Sequence, residues 1–223
     1  MMRRVVFMID GWFMWKRISK LKAFFYSGPE IRKYCRSHLR ADDSIYRIFY
    51  YDSAPLEDKG HNPITKKFID FSKTPGAQRQ RNLHDSIRRT PNFALRLGKT
   101  QWKGKGWVLE PKKFKALVNK KISIDDLTET DVFPHIVQKA VDMKIGLDIA
   151  SIATKKLADL LIIVIGDADI VPALKLARRE GMMVGLDPLW CYIRPELSEH
   201  VDFINTKLPP LESSGQLRFP LKL

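Results

Sequence analysis

The sequence predicts an α/β protein built on a parallel sheet with helices on both faces, and three observations carry that expectation. Apolar runs without polar alternation at 3–9, 44–51 and 159–165 read as strands buried on both sides. Between and after them lie segments of helical period, clearest over 141–157, where Ile145, Ile149, Ile152 and Ala153 share one face. Acidic turns then follow strands, at Asp10-Gly11 and at Gly166-Asp167-Ala168-Asp169. Strands alternating with helices through right-handed crossovers place every loop that follows a strand on one edge, which is where such sheets bind ligands.

Taken in order, residues 3–9 form the first strand and end at Asp10. Residues 12–39 mix aromatic and basic side chains around a Gly28-Pro29 break and predict two helices. The run 44–51 is the second strand, stopping at Asp52 before Pro55. A helix over 63–72, a break at Pro75-Gly76 and a polar helix or loop to Arg89 come next. Two strands follow, 93–97 and 101–109, parted by Gly98 and Lys99, and then an acidic connector over 125–131. Beyond the helix at 141–157 lie a strand at 159–165, a tight turn at 166–169 and a helix at 170–180 closed by Gly181. A strand at 182–186 ends the series. One domain, 1–205, is expected, carrying an insert at 59–121, with 206–223 as a tail.

Charge singles out that insert. The chain of 223 residues has 39 Lys and Arg against 25 Asp and Glu, a formal net charge of +14. Residues 59–121 hold 17 basic and 3 acidic side chains, so this one segment accounts for the whole excess. A concentrated basic surface attracts polyanions by neutralising phosphates and releasing counterions, and RNA, with DNA not excluded, is the expected partner. The candidate contacts are Arg79, Arg81, Arg88, Arg89, Lys103 and Lys105, with His84 as a further contact and Trp102 and Trp107 as base-stacking or packing residues. A solvated surface, or docking on an acidic protein, is the competing account.

Other classes recede. No apolar run approaches the ~20 residues of a bilayer span, and Asp10 interrupts the opening apolar stretch before a signal-peptide core is complete, so a cytoplasmic protein off the membrane is expected. Two cysteines, Cys35 and Cys191, are too few for a disulfide framework or a Cys-rich zinc site. The sequence lacks a phosphate-binding Gly-rich loop, a G-x-G-x-x-G and a G-x-S-x-G elbow.

The acids at the sheet edge remain. Asp10, Asp167 and Asp169 come from strand ends, and Asp142, at the start of a helix, can face the same crevice. Carboxylates packed together raise one another's pKa unless a cation sits between them. Mg²⁺ or Mn²⁺, bound through oxygen, is the expected occupant. Each acid also has a plainer role: Asp142 and Asp169 as helix caps, Asp10-Gly11 as a turn, Asp148 as a solvated helix position.

Residues 138–150, Gln138-Lys139-Ala140-Val141-Asp142-Met143-Lys144-Ile145-Gly146-Leu147-Asp148-Ile149-Ala150, with Gly166-Asp167-Ala168-Asp169-Ile170-Val171-Pro172, resemble the bacterial NYN-domain family, the LabA-like branch of the PIN-like nucleases. The resemblance extends to Ile9-Asp10-Gly11, Arg47 to Asp52, Ala177 to Gly181 and Glu199 to Asp202. It implies a Rossmann-like, PIN-like fold and a Mg²⁺- or Mn²⁺-dependent endoribonuclease whose metal-binding acids are Asp10, Asp142, Asp167 and Asp169. Asp148 is then a further catalytic acid, and Lys139 a phosphate contact. Ala140, Ile170 and Phe13 stand where the family has Gly, Phe and Asn. The last of these keeps open a second expectation, a catalytically silent RNA-binding or regulatory protein, and a homo-oligomer is compatible with either.

Overall fold

The computed structural model describes residues 2–20 and 27–209, so the parts of the expected helical region at 21–26 and of the expected tail at 210–223 lie outside the described residues. The chain divides into two compact units. The first comprises residues 1–52, 82–98 and 140–223, and the second 53–81 and 99–139.

In the first unit, β1 (Arg3–Asp10) pairs in parallel with β2 (Asp43–Ser53) on one side and with β7 (Leu160–Val164) on the other. Outward from β7 come β8 (Met183–Asp187) and the short β9 (Phe203–Ile204), both parallel. Outward from β2 lies the start of β5 (Phe93–Leu109).

The apolar runs are fully buried because the sheet is covered on both faces. Val6, Met8, Leu161 and Ile163 point to one side, against Ile145, Ile149 and Ile152 of α5 (Val141–Thr154) and Leu174 and Ala177 of α6 (Val171–Arg179). Val5, Phe7, Ile9, Ile162 and Val164 point to the other. There they meet Met14 and Ile18 of α1 (Gly11–Lys20), Ile31 and Tyr34 of α2 (Gly28–Ser37), and Ile87 of α3 (Pro75–Arg89). Each fully buried aliphatic or aromatic side chain contributes about 1.5–3 kcal/mol, so these two layers are the main source of the unit's stability. The mostly parallel α/β architecture expected from the sequence is thus present. Among the described residues no helix is long and apolar enough to cross a membrane.

The second unit contains the antiparallel hairpin of β3 (Lys59–His61) and β4 (Phe68–Asp70), the rest of β5, α4 (Pro111–Val118) and β6 (Val132–Lys139), which pairs antiparallel with β5. Its small core is aromatic. Trp102 and Trp107 meet edge to face at 5.6 Å, and Phe71 packs on Trp102 at 5.2 Å. Trp102 lies so close to Gly60 that a Cβ there would be 2.3 Å from the indole.

Several expectations for this region change. The helix expected over 63–72 is the β3–β4 turn, β4 and the start of a short 3-10 turn over Phe71–Lys73, since the Asn62 side chain accepts the N–H groups of Ile64 and Thr65 and closes a turn. The two strands expected on either side of Gly98 are one strand. Its interruption falls instead between Trp102 and Trp107, where the pairing register shifts and Gly104 and Lys105 take φ of 57° and 50°. The insert at 59–121 is not one body either: Ile87 is buried in the first unit's core, with Leu83, Phe93 and Leu95 packed against it. The helix α4, with Pro111 at its first turn, and strand β6 had no counterpart in the sequence reading.

Ala140 precedes α5 with φ 68° and ψ 11°, a left-handed conformation in which a Cβ is strained. Ala140→Gly should therefore stabilise the protein by roughly 1 kcal/mol, read as a rise in the urea midpoint with an unchanged slope. A lower midpoint would show that the strain is absent.

Candidate carboxylate site

Four parallel strands carry an aspartate at or just beyond their carboxyl ends. β1 ends at Asp10, β2 carries Asp52 next to its last residue, β7 leads through Ile165 and Gly166 to Asp167, and β8 ends at Asp187. A parallel sheet brings all of these to one edge, but their surroundings differ sharply.

Asp10 sits where β1 hands over to α1. The Phe13 N–H donates to its Oδ1 at 3.0 Å, and the Trp12 N–H also donates to it, so the carboxylate caps the helix. Burial nevertheless dominates and pushes its pKa from 3.8 up to about 6, with Asp142 and Asp52 adding to the rise and the two amides opposing it. Asp142, exposed in the first turn of α5, is also raised, first by partial desolvation and then by Asp167 and Asp169. Asp167 and Asp169 are exposed, and Asp167 accepts the Asp169 N–H at 3.2 Å. Asp10, Asp142, Asp167 and Asp169 are therefore brought together as a chain of mutually repelling carboxylates.

The capping roles fall out differently from expectation. Asp10 and Asp167 cap, whereas α5 and α6 have Ala140 and Ile170 at their N-cap positions and no side-chain cap. Asp148 is held apart from the cluster. It lies six residues beyond Asp142, about one and two-thirds turns, and so on a different helix face. There its Oδ2 accepts the Tyr51 hydroxyl at 2.9 Å and Arg96 Nε at 3.1 Å. That makes it a structural anchor between α5 and the strands.

Phe13 occupies the gap between strand ends. Its ring packs on Gly166 so tightly that a Cβ there would stand 2.4 Å from Cε2. Gly11 is constrained in the same way by the Tyr50 ring, at 2.6 Å. Both glycines allow aromatic rings to close over the edge beside the acids.

Two buried acids at this edge were missed at the sequence level. Asp52, 6% exposed, pairs with His84, whose Nε2 lies 2.8 Å away and which is 2% exposed. His84 is thereby withdrawn from any RNA contact. Asp187 is wholly buried; it accepts the Tyr34 hydroxyl, the Leu189 N–H at 2.9 Å and the Thr206 hydroxyl at 2.8 Å, and lies 3.1 Å from His38 Nε2. The signal for both was available, since each directly follows an apolar strand run.

No family model matches the chain, and no curated protein matches it. Among solved structures it is similar to a Vibrio parahaemolyticus protein of unknown function, 16% identical, with a TM-score of 0.49 over 92% of this chain and 93% of that one.

Of the expected basic contacts, Arg79, Lys103, Lys105 and Lys139 are exposed in the second unit. The irregularity in β5 displays Lys103 and Lys105 outward. Arg81 is tied to the Ser72 carbonyl. In the first unit Arg88 and Arg89 are exposed, Arg88 pairing with Asp85 at 2.6 Å. Trp102 is 8% exposed and committed to its aromatic cluster, which excludes a base-stacking role for it.

The donor set suits a hard divalent cation in kind: all four side chains are carboxylates, and two of them carry raised pKa values that a cation would relieve. Among the described residues, however, no three His, Cys, Asp or Glu side chains converge on one ligand position.

Because Asp10 is less acidic in the fold than when unfolded, its ionisation weakens the fold as pH rises. Asp10→Asn should be indistinguishable in stability from wild type below about pH 4, gain on it between pH 4 and 6, and hold a constant advantage above that. Thermal melts in EDTA across this range would show it. A pH-independent difference would mean that Asp10 is not desolvated.

Proposed function

We propose that the protein is a metal-dependent ribonuclease of the PIN-like, NYN-domain kind, hydrolysing RNA phosphodiesters at the Asp10, Asp142, Asp167 and Asp169 edge. The observation that supports this best is the coupling of these acids. Asp10 is pushed up to a pKa of about 6 by burial first, with Asp142 and Asp52 adding to the rise, and Asp142 is raised by desolvation first and then by Asp167 and Asp169. A fold tolerates such repulsion most readily where a ligand cation offsets it.

In this reading Asp10 is the fixed member, oriented by the Trp12 and Phe13 amides. Asp142, Asp167 and Asp169, exposed to solvent, complete an anionic lining open to substrate. Bound Mg²⁺ or Mn²⁺ would supply a water of lowered pKa and neutralise charge on the phosphate. Exposed Arg79, Arg88, Arg89, Lys103, Lys105 and Lys139 hold the RNA backbone by charge, independently of sequence.

One observation favours a second reading, a silent RNA-binding module. The ring of Phe13 covers Gly166, where a polar side chain would face the acids.

Cleavage of a labelled RNA pool with Mg²⁺, Mn²⁺ or EDTA separates the two. Under the nuclease reading cleavage needs metal, and Asp167→Asn lowers its rate by roughly 100-fold or more. Intact RNA in every lane, despite binding, selects the silent module. Replacing Arg79, Lys103 or Lys105 singly by Ala should reduce the slope of log affinity against log salt by about 1 each. An unchanged slope removes that residue from the RNA path.

A further inference from the structure

The helix that follows Asp10 carries a surface that the carboxylate chemistry does not use. In α1, Met14 and Ile18 turn into the core at 1% and 6% exposure, leaving Trp12 and Trp15 outside at 45% and 51%. Their spacing places them on one helix face. The two indoles stack on each other, with centroids 5.2 Å apart and planes 14° from parallel, and Lys16 Nζ lies 4.8 Å from the Trp12 ring. The helix contains no acidic residue, while Lys16, Arg17 and Lys20 make it cationic.

Large aromatic side chains usually bury most of their area, so two neighbouring tryptophans half in solvent ask for an occupant. The occupant's chemistry can be read from the surface itself. A π-platform with a cation seated over its Trp12 ring complements a molecule that is itself flat, π-faced and anionic on its rim, as a nucleotide is. Its position points the same way, because the backbone N–H groups of Trp12 and Phe13 both bond the Asp10 carboxylate. Platform and acid thus share one helical turn.

We propose that Trp12, Trp15 and Lys16 form a nucleobase-stacking subsite that makes the protein selective for single-stranded RNA. The indoles stack on an unpaired base, and Lys16 meets the adjoining phosphate. In a duplex the base faces are already stacked and out of reach, so the platform discriminates by strandedness rather than by sequence. This deepens the ribonuclease reading and rests on it for the position of the scissile phosphate, but the stacking itself needs no cleavage.

The test measures anisotropy of a dye-labelled oligouridylate, and of an RNA duplex of equal length, in EDTA, where no hydrolysis intervenes. Trp12→Ala/Trp15→Ala should weaken oligouridylate binding by roughly tenfold or more while leaving duplex binding unchanged, and Trp12→Phe/Trp15→Phe should restore most of the loss. An oligomer of the same charge with abasic sugars should bind wild type as weakly as oligouridylate binds the alanine variant, a comparison that holds even if that variant folds poorly. Equal affinity of wild type and alanine variant for oligouridylate, an equal loss for the duplex, or wild type that binds neither would overturn the proposal. So would loss of self-association in the alanine variant at unchanged RNA affinity, which would make the face a contact between copies. Tryptophan-dependent binding without metal-dependent cleavage keeps the subsite and removes the nuclease reading; cleavage with tryptophan-independent binding does the reverse.

Discussion

The parallel pairing of β1 between β2 and β7 is the constraint on which the rest of the first unit depends. The central strand has no free edge, and its five residues from Val5 to Ile9 are at most 1% exposed. Direction in a parallel sheet is shared, so once these strands pair, each chain segment that follows them leaves on the same side. Asp10, Asp52, Asp167 and Asp187 reach one edge for that reason alone. The apolar strands thus act twice, supplying the core and setting where acidic side chains meet.

The same edge shows how one residue type takes several roles. Asp187 has donors enough to be held as a buried anchor, and Asp52 is matched by His84. Asp148 is matched by Arg96 and Tyr51. Asp10 and Asp142 have like-charged neighbours instead, and their pKa values are raised by desolvation first and by those neighbours second. The contrast between satisfied and unsatisfied acids, rather than the number of acids, is what distinguishes a candidate site from a structural network. The aromatic face of α1 is then a natural extension of the unsatisfied group, since one helical turn carries both.

Much of the first unit was legible in advance because its signals are local. The strands at 3–9 and 159–165, the helix at 141–157 and the acidic turn at 166–169 each declare themselves by unbroken apolarity or helical period. The second unit was poorly legible for the opposite reason. Its elements are short, and its core is one aromatic cluster drawn from distant positions, Phe71, Trp102 and Trp107. The strand β6 gains its identity only by pairing with β5, a relation that hydrophobic period does not encode.

By itself, the sequence determined the α/β class, the succession of the main strands along the chain and the placing of Asp10, Asp167 and Asp169 just after strand ends. Period and chain direction are sufficient for these. Only the tertiary structure decided which acids are paired and which repel, that His84 and Trp102 are buried while Trp12 and Trp15 are not, and that residues 82–98 belong with the sheet rather than with the basic segment. Those outcomes depend on which distant side chains share a desolvated space, and charge or aromatic character read along a chain is silent on that.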